Sequence, residues 1–198
     1  MRSGIFGLCL LLLALPAAAQ TQGATPTRIR GTVDRLEGQT LVIRNPAGQP
    51  VSVAMAPNVT VSGVVRRGLA DIKAGDLIAS TSMRQPDGSL KAIELHYLPP
   101  GANEGQLPWD LAPDSIMTNA TVAGVAQVPQ GQVLKVTYKG QQADITVPAD
   151  VPVVAFAPGD IGLVKPGAAI VVFGQKQADG TVTATRAILE TNGVKPPM

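Results

Sequence analysis

The sequence is poor in the residues on which most catalytic and metal sites depend. Its 198 residues include one cysteine, Cys9, and one histidine, His96. Cys9 lies in a segment that we expect to be removed, so disulfides, thiolate metal ligands and cysteine nucleophiles are excluded from the mature chain. No nucleophile motif accompanies His96, and phosphate loops and HExxH-like metal motifs are absent. We therefore expect a protein that is not an enzyme and that carries no cofactor.

Charged and aromatic residues are also scarce. Charged residues make up 15% of the chain, against about 25% in typical proteins. The formal net charge of +2 falls to +1 if Arg2 is removed with a leader. Single-stranded nucleic acid is bound by aromatic stacking platforms beside a basic groove, but the candidate strands 41–44 and 51–53 contain no aromatic residue. The sequence therefore predicts no nucleic-acid partner.

The N-terminal residues have the pattern of a secretory signal peptide. The apolar run from Ile5 to Leu15 is too short to span a bilayer, and it is followed by Pro16 and three alanines. We expect cleavage between Ala19 and Gln20 and export to the periplasm. No later segment could anchor the mature chain, so we expect no membrane insertion.

Landmark residues recur in the two halves of the chain at a nearly constant spacing, which indicates a duplicated unit. At an offset of 93, Gly31 matches Gly124 and the run 38–41 matches 131–134. At an offset of 92, the matches are Gly48 with Gly140, 58–59 with 150–151, 73–75 with 165–167, 87–88 with 179–180, and Ala92 with Ala184. We expect a signal peptide at 1–19, a first β-barrel repeat at 20–98, a linker at 99–119 and a second repeat with a short tail at 120–198.

Valine-rich runs separated by turn residues predict an all-β fold. The candidate strands of the first repeat are residues 27–35, 40–45, 50–54, 76–84 and 90–98. Residues 69–73 are expected to form one helical turn in the long connector 56–75. This order favours two tandem five-stranded Greek-key barrels of the OB type, and an open sandwich of similar strands is the alternative. Glycines at Gly48, Gly88 and Gly180 suit tight hairpin turns.

The segment 99–119 has no counterpart at the end of the second repeat. Its four prolines restrict the backbone, so we expect a stiff linker between the barrels. Trp109, with Leu107 and Leu111, is expected to anchor this segment against a barrel.

These features resemble an uncharacterised bacterial exported family with tandem OB-like β-barrel repeats. The shared pattern is a Gly-x-Val first strand, a Gly-x-x-Leu second strand, a Lys-x-Gly connector and a final Asp-Gly hairpin followed by alanine. More specific likenesses are at residues 104–111, 117–122 and 193–198. The resemblance implies this fold and a periplasmic location, and it supplies no catalytic or binding residue.

Glu94 and His96 are the most suggestive pair of side chains. They are two residues apart in a strand, so they share one face, and we interpret them as an ordinary surface pair. The metal hypothesis adds the soft thioethers of Met55, Met83, Met117 and Met198, which with His96 suit copper(I). Their spacing forms no ligand motif, so we predict no metal and keep Glu94 and His96 as the only candidates. The acidic residues 104, 110 and 114 are interpreted as solvated charge rather than as a calcium site.

By elimination, the sequence favours a non-enzymatic periplasmic protein that binds or scaffolds an unknown ligand. Its partner would be an envelope protein or a small molecule, and copper-type metal handling is the alternative. Trp109, Val153 and Phe156 are the predicted partner surface. Two interpretations of the run 151–158 stay open: an exposed recognition loop, or a strand that closes the barrel.

Overall fold

Extended backbone accounts for nearly all of the regular structure. A computed structural model describes residues 24–198, so the predicted signal peptide lies outside the described residues. The twelve strands are β1 (Thr25–Glu37), β2 (Thr40–Arg44), β3 (Pro50–Arg66), β4 (Leu77–Arg84), β5 (Leu90–Tyr97), β6 (Gly105–Pro108), β7 (Ser115–Val128), β8 (Gly131–Tyr138), β9 (Gln141–Pro148), β10 (Val153–Pro158), β11 (Ala169–Lys176) and β12 (Val182–Leu189). The only helical segments among these residues are 3₁₀ turns at Leu69–Asp71 and Ile161–Leu163. The predicted all-β class is confirmed.

The first and last strands of the chain together form a closed barrel of five strands. β1, β2 and β3 are an antiparallel meander, β11 pairs with β1, and β12 pairs in parallel with β3 to close the ring. We call this ring the terminal barrel. Alternate residues of its strands point inward, as the period of a half-buried strand requires, and pack around Leu41, Ile43, Val53, Ile170 and Leu189.

The strands in the middle of the chain form a second ring, the central barrel. β4 pairs with β5 and β7, β8 joins β7 to β9, and a short parallel contact between β5 and β9 closes the ring. Its core is built around Ile78, Leu95, Leu134, Val136 and Ile145, all of which are buried. Each ring therefore has its own hydrophobic core.

The strand partners differ from the sequence expectation that residues 20–98 and 120–198 each close a barrel. β11 and β12 complete the barrel begun by β1–β3, whereas β4 and β5 belong to the ring of β7–β9. The reason lies in β3, which was expected to end at residue 54 and continues to Arg66. Residues 55–66 extend the strand by roughly 40 Å at about 3.3 Å per residue, so the chain leaves the terminal barrel and β4 lies in the other ring. Two tandem barrels are not confirmed.

β10 joins the two rings. It pairs antiparallel with the second half of β3 and in parallel with β5, so that Phe156 lies opposite Val64 and Val154 lies opposite His96. A third cluster of buried side chains fills the junction and consists of Val64, Val154, Ile188 and Met198. The run 151–158 is therefore mostly a strand between the rings, and it is not an exposed loop.

The predicted turns are present where glycine provides a positive φ. Gly48 and Gly88 have φ of 78° and 85° in the loops after β2 and β4. In the second loop, the Asp87 carboxylate accepts hydrogen bonds from the Ser89 amide and hydroxyl, and these bonds hold the pKa of Asp87 below its usual value. The helical turn expected near residues 69–73 corresponds to the 3₁₀ turn.

The segment 99–119 contains more strand than a linker would. β6 pairs with β7, and β7 begins at Ser115 within the range expected to be linker. Trp109 packs against the terminal barrel, with the Arg28 guanidinium 3.9 Å from the ring centroid. Leu107 is 40% exposed, so Trp109 rather than Leu107 makes the anchoring contact.

Candidate ligand-binding site

A cavity of about 170 Å³ lies where the two barrels meet β10. Six of its lining residues come from the central barrel and the segment that follows β5: His96, Leu98, Leu107, Trp109, Met117 and Asn119. Five come from β10, the terminal barrel and the C-terminal residues: Phe156, Phe173, Arg186, Ile188 and Met198. The walls are thus mainly apolar and aromatic, with a few polar groups, which is the usual composition of a small-molecule site.

Glu94 and His96 are a buried pair and not the surface pair that the sequence suggested. Glu94 is fully buried, and its Oε2 lies 3.0 Å from Nδ1 of His96. The other oxygen, Oε1, accepts hydrogen bonds from the Thr81 hydroxyl at 2.5 Å and from the Thr81 amide at 3.1 Å. Because Nδ1 is bound to the carboxylate, Nε2 is the ring nitrogen left for the cavity.

The hydroxyl of Thr81 contacts a methionine as well as the Glu94 carboxylate. Its hydroxyl lies 3.9 Å from Sδ of Met117, which is 3% exposed. His96 also packs edge-on against Phe156, with the ring centroids 5.4 Å apart. The histidine is therefore fixed in orientation on both sides, by the carboxylate of Glu94 and by an aromatic ring.

Trp109 is held by stacking contacts but has an unused hydrogen-bond donor. The Arg28 guanidinium lies over its ring, and the centroid of the Phe173 ring is 6.4 Å away. Among residues 24–198, the buried indole Nε1 has no hydrogen-bond partner. A buried donor without an acceptor costs about 1–3 kcal/mol, so this group favours an acceptor brought by a ligand or by water.

Arg186 is the cationic group of the cavity. Its guanidinium lies 4.5 Å from the centroid of Phe156 and 5.8 Å from that of Phe173. Within residues 24–198 no carboxylate forms an ion pair with it, and burial lowers the pKa of its guanidinium. The side chain is half-buried, so its charge is desolvated without compensation from an acid.

The other charges near Trp109 are paired. Asp110 Oδ1 accepts hydrogen bonds from Arg28 and Arg30, both at 2.9 Å. Burial by itself raises the pKa of Asp110, but the two arginines outweigh it and hold the pKa below the usual value. Arg30 also donates to the main-chain oxygen of Met198 at 3.0 Å. This network ties the segment after β6 and the C-terminal residues to β1.

A wider groove of about 470 Å³ adjoins the cavity and shares Leu98, Phe156 and Arg186 with it. Tyr97 lines the groove, and burial, followed by the charges of Asp76 and Asp71, raises the pKa of its hydroxyl to about 12. Arg186 thus stands between the small cavity and an open groove.

A different groove, of about 460 Å³, lies at the mouth of the terminal barrel. Its one charged lining residue is Asp160, whose carboxylate accepts a hydrogen bond from the Gly162 amide. Asp160 forms no ion pair among residues 24–198, but this groove offers no buried aromatic or cationic side chain to enclose a ligand. The inter-barrel cavity is therefore the better candidate despite its smaller size.

The structure brings some of the predicted residues together and separates others. His96, Trp109, Phe156 and the thioethers of Met117 and Met198 line one cavity. Val153 is 4% exposed and packs in the central core, so it is not part of a partner surface. The remaining methionines lie elsewhere: Met55 is in the terminal core and Met83 is near the end of β4.

The acidic residues of the segment 99–119 are used for structure. Glu104 accepts a hydrogen bond from the Thr121 hydroxyl at 2.7 Å, and Asp110 is bound to two arginines. Among residues 24–198, no three His, Cys, Asp or Glu side chains are grouped so that they could hold a metal ion. His96 instead shares a cavity with two methionines, Met117 and Met198.

Arg186 and Phe173 are the site residues that the sequence did not single out. Arg186 stands at the offset of 92 from Glu94, and its neighbours Ala184 and Ile188 in β12 are buried. A charged side chain among buried apolar ones in an alternating strand is the signal that could have identified it.

No family model, curated protein or solved structure matches the chain. Within residues 24–198, no helix has the length and apolar character needed to cross a membrane.

Proposed function

We propose that this protein is a non-enzymatic binding protein of the periplasm, and that its ligand occupies the cavity between the barrels. The observation that carries the proposal is a pair of donors, uncompensated among residues 24–198, in a space lined mainly by apolar and aromatic side chains. These are the guanidinium of Arg186, without an acidic partner, and Nε1 of Trp109, without an acceptor. A ligand with acceptor atoms would satisfy both, which is the arrangement expected of a binding site.

The proposal includes a duplicated unit of OB type whose last two strands are exchanged. Pairs of residues support it: His96 faces Val154 in β10, and Ile188 faces Ser62 in β3. His96 and Ile188 are 92 residues apart, and so are Ser62 and Val154, so each pair is the counterpart of the other. Val64 and Phe156 are also 92 residues apart and lie opposite each other, so this pair is its own counterpart. This regularity supports an approximate two-fold axis at that pair, next to the cavity.

A scaffolding role is less well supported by the geometry. Trp109 and Phe156, two of the three predicted surface residues, are half-buried and face the cavity, and Val153 is in a core. They are therefore positioned for a small ligand more than for an envelope protein.

Native mass spectrometry of protein purified from the periplasm tests the proposal. We expect a small-molecule adduct that is lost in Leu98→Trp, because the indole would fill the space shared by the cavity and the groove. Ile161→Trp is the matched control, since Ile161 is 51% exposed and lies away from the cavity. Wild-type protein without an adduct, whose melting temperature no small molecule or metal raises, would contradict the proposal.

Copper-type metal handling is the second candidate, and one observation favours it. The structure places His96, Met117 and Met198 around one cavity although they are distant in sequence. Imidazole and thioether groups suit copper(I), and a carboxylate bound to the other histidine nitrogen is the usual outer contact of a metal-binding histidine. Glu94 makes that contact.

An anaerobic titration with copper(I) in the presence of a competing chelator tests this second candidate. We expect one equivalent of copper(I) to bind wild-type protein, and binding to be lost in His96→Ala. Met55→Leu is the control, because Met55 lies in the terminal core. Equal affinity in wild-type protein and in His96→Ala would exclude the site.

A further inference from the structure

We propose that the ligand of the inter-barrel cavity is a small monocarboxylate with an apolar body, bound by Arg186 and Trp109. This inference rests on the proposed binding function and names the chemical class of its ligand. The carboxylate would pair with the Arg186 guanidinium and accept a hydrogen bond from Nε1 of Trp109.

Among the described residues, Arg186 has no acidic partner, and an anionic ligand would supply one. Both acidic side chains near it are already bound, Glu94 by Thr81 and His96, and Asp110 by two arginines. Within residues 24–198, Arg186 contacts the rings of Phe156 and Phe173 and forms no ion pair. A planar guanidinium held on such faces keeps its edge free for two parallel hydrogen bonds to a carboxylate.

Trp109 is an independent indication of an acceptor. Its Nε1 is buried and unpartnered, whereas buried polar groups in folded proteins nearly always have a partner. Its ring contacts Phe173, which also lies near Arg186. Because Nε1 is covered in this structure, a ligand acceptor would reach it only after a small turn of the indole.

The walls and the volume define the rest of the ligand. Leu98, Phe156, Phe173 and Ile188 provide an apolar surface. The volume of about 170 Å³ is close to that of an engineered cavity of about 150 Å³ that binds benzene. A single aromatic ring or a short aliphatic chain fits this space, and a longer chain could extend past Arg186 into the adjoining groove.

Isothermal titration calorimetry with benzoate and benzamide on the full mature protein tests the inference. The two molecules have nearly the same shape but differ in charge. A hydrogen bond to a charged group is worth more than one to a neutral group, so we expect benzoate to bind at least about tenfold more tightly. Sulfate in a third titration tests whether charge alone is sufficient.

Variants identify the groups that recognise the carboxylate. Arg186→Met keeps the apolar stem and removes the charge, so we expect benzoate affinity to fall about tenfold or more while benzamide affinity is unchanged. Trp109→Phe removes the Nε1 donor and is expected to weaken benzoate several-fold. Arg84→Met is the control, because Arg84 is exposed at the end of β4.

Each other outcome overturns a defined part of the inference. If benzoate and benzamide bind equally, and Arg186→Met changes neither affinity, the ligand is not recognised as an anion. The proposed binding function would still stand. If sulfate binds and benzoate does not, the ligand does not need an apolar part. If none of the three binds while the periplasmic protein carries an adduct, the ligand class is wrong and the function stands. If the periplasmic protein also carries no adduct, both the ligand class and the binding function are contradicted.

Discussion

Glu94 and Arg186 lie 92 residues apart at matching places in β5 and β12, yet they differ in charge, in burial and in their hydrogen-bond partners. The Glu94 carboxylate is fully buried and bound by Thr81 and His96. Arg186 is half-buried, and no carboxylate pairs with it among residues 24–198. One half of the molecule thus holds its charge in a network of hydrogen bonds, whereas the matching charge of the other half has no acidic partner among the described residues.

The largest effect is expected from cutting the chain between the halves. A specific protease site placed at residues 100–102 would leave fragments ending and beginning between β5 and β6. We expect the two fragments to co-elute in size-exclusion chromatography, since β11 and β12 of one pair with β1 and β3 of the other. They should separate only in denaturant. Separation in native buffer would mean that each half closes its own barrel.

Substitutions at Glu94 and Arg186 test whether each side chain contributes to stability. Glu94→Leu leaves the Thr81 hydroxyl and the His96 ring without their acceptor, so we expect the free energy of unfolding to fall by about 3 kcal/mol. Arg186→Leu leaves no buried partner unpaired, and we expect a change within about 1 kcal/mol. Urea denaturation of both variants measures this difference. Equal losses would show that Arg186 also has a structural partner.

Local features of the fold could be predicted because they depend on neighbouring residues. The strands, the turns at Gly48 and Gly88, and the shared face of Glu94 and His96 follow from periodicity and from the backbone freedom of glycine. Whether that face is buried depends on β10 and the terminal barrel, which lie far away in sequence. For this reason the pair looked like a surface pair.

The pairing of β11 and β12 with β1 and β3 could not be predicted from periodicity, because alternation shows that a strand exists but not which strand it pairs with. The length of β3 was a partial signal that went unused. In residues 58–62, Val59 and Val61 alternate with polar residues, which is typical of a half-buried strand. Treating this run as a connector made each repeat look self-contained.

The hydrogen bonds of the first strands suggest a different offset between the two halves. The amide of Val33 donates to the oxygen of Ala168, and the amide of Val122 donates to the oxygen of Asp76. If the two halves are copies of one unit, these bonds match Val33 with Val122, an offset of 89 where the sequence suggested 93. The first hairpin closes at Glu37–Thr40 and the second at Val128–Gly131, so the second has longer strands.

Two glycines that the sequence equates provide the smallest and most local test. A Cβ on Gly31 would lie 2.1 Å from the backbone oxygen of Arg44, whereas one on Gly124 would have no atom within 4 Å. We expect Gly31→Ala to lower the free energy of unfolding by about 1–3 kcal/mol and Gly124→Ala to change it by less than about 0.5 kcal/mol. Urea denaturation measures both. Equal losses would support the offset of 93, because equivalent glycines would then face equivalent neighbours; unequal losses support the offset of 89, which matches Gly31 with Ala120.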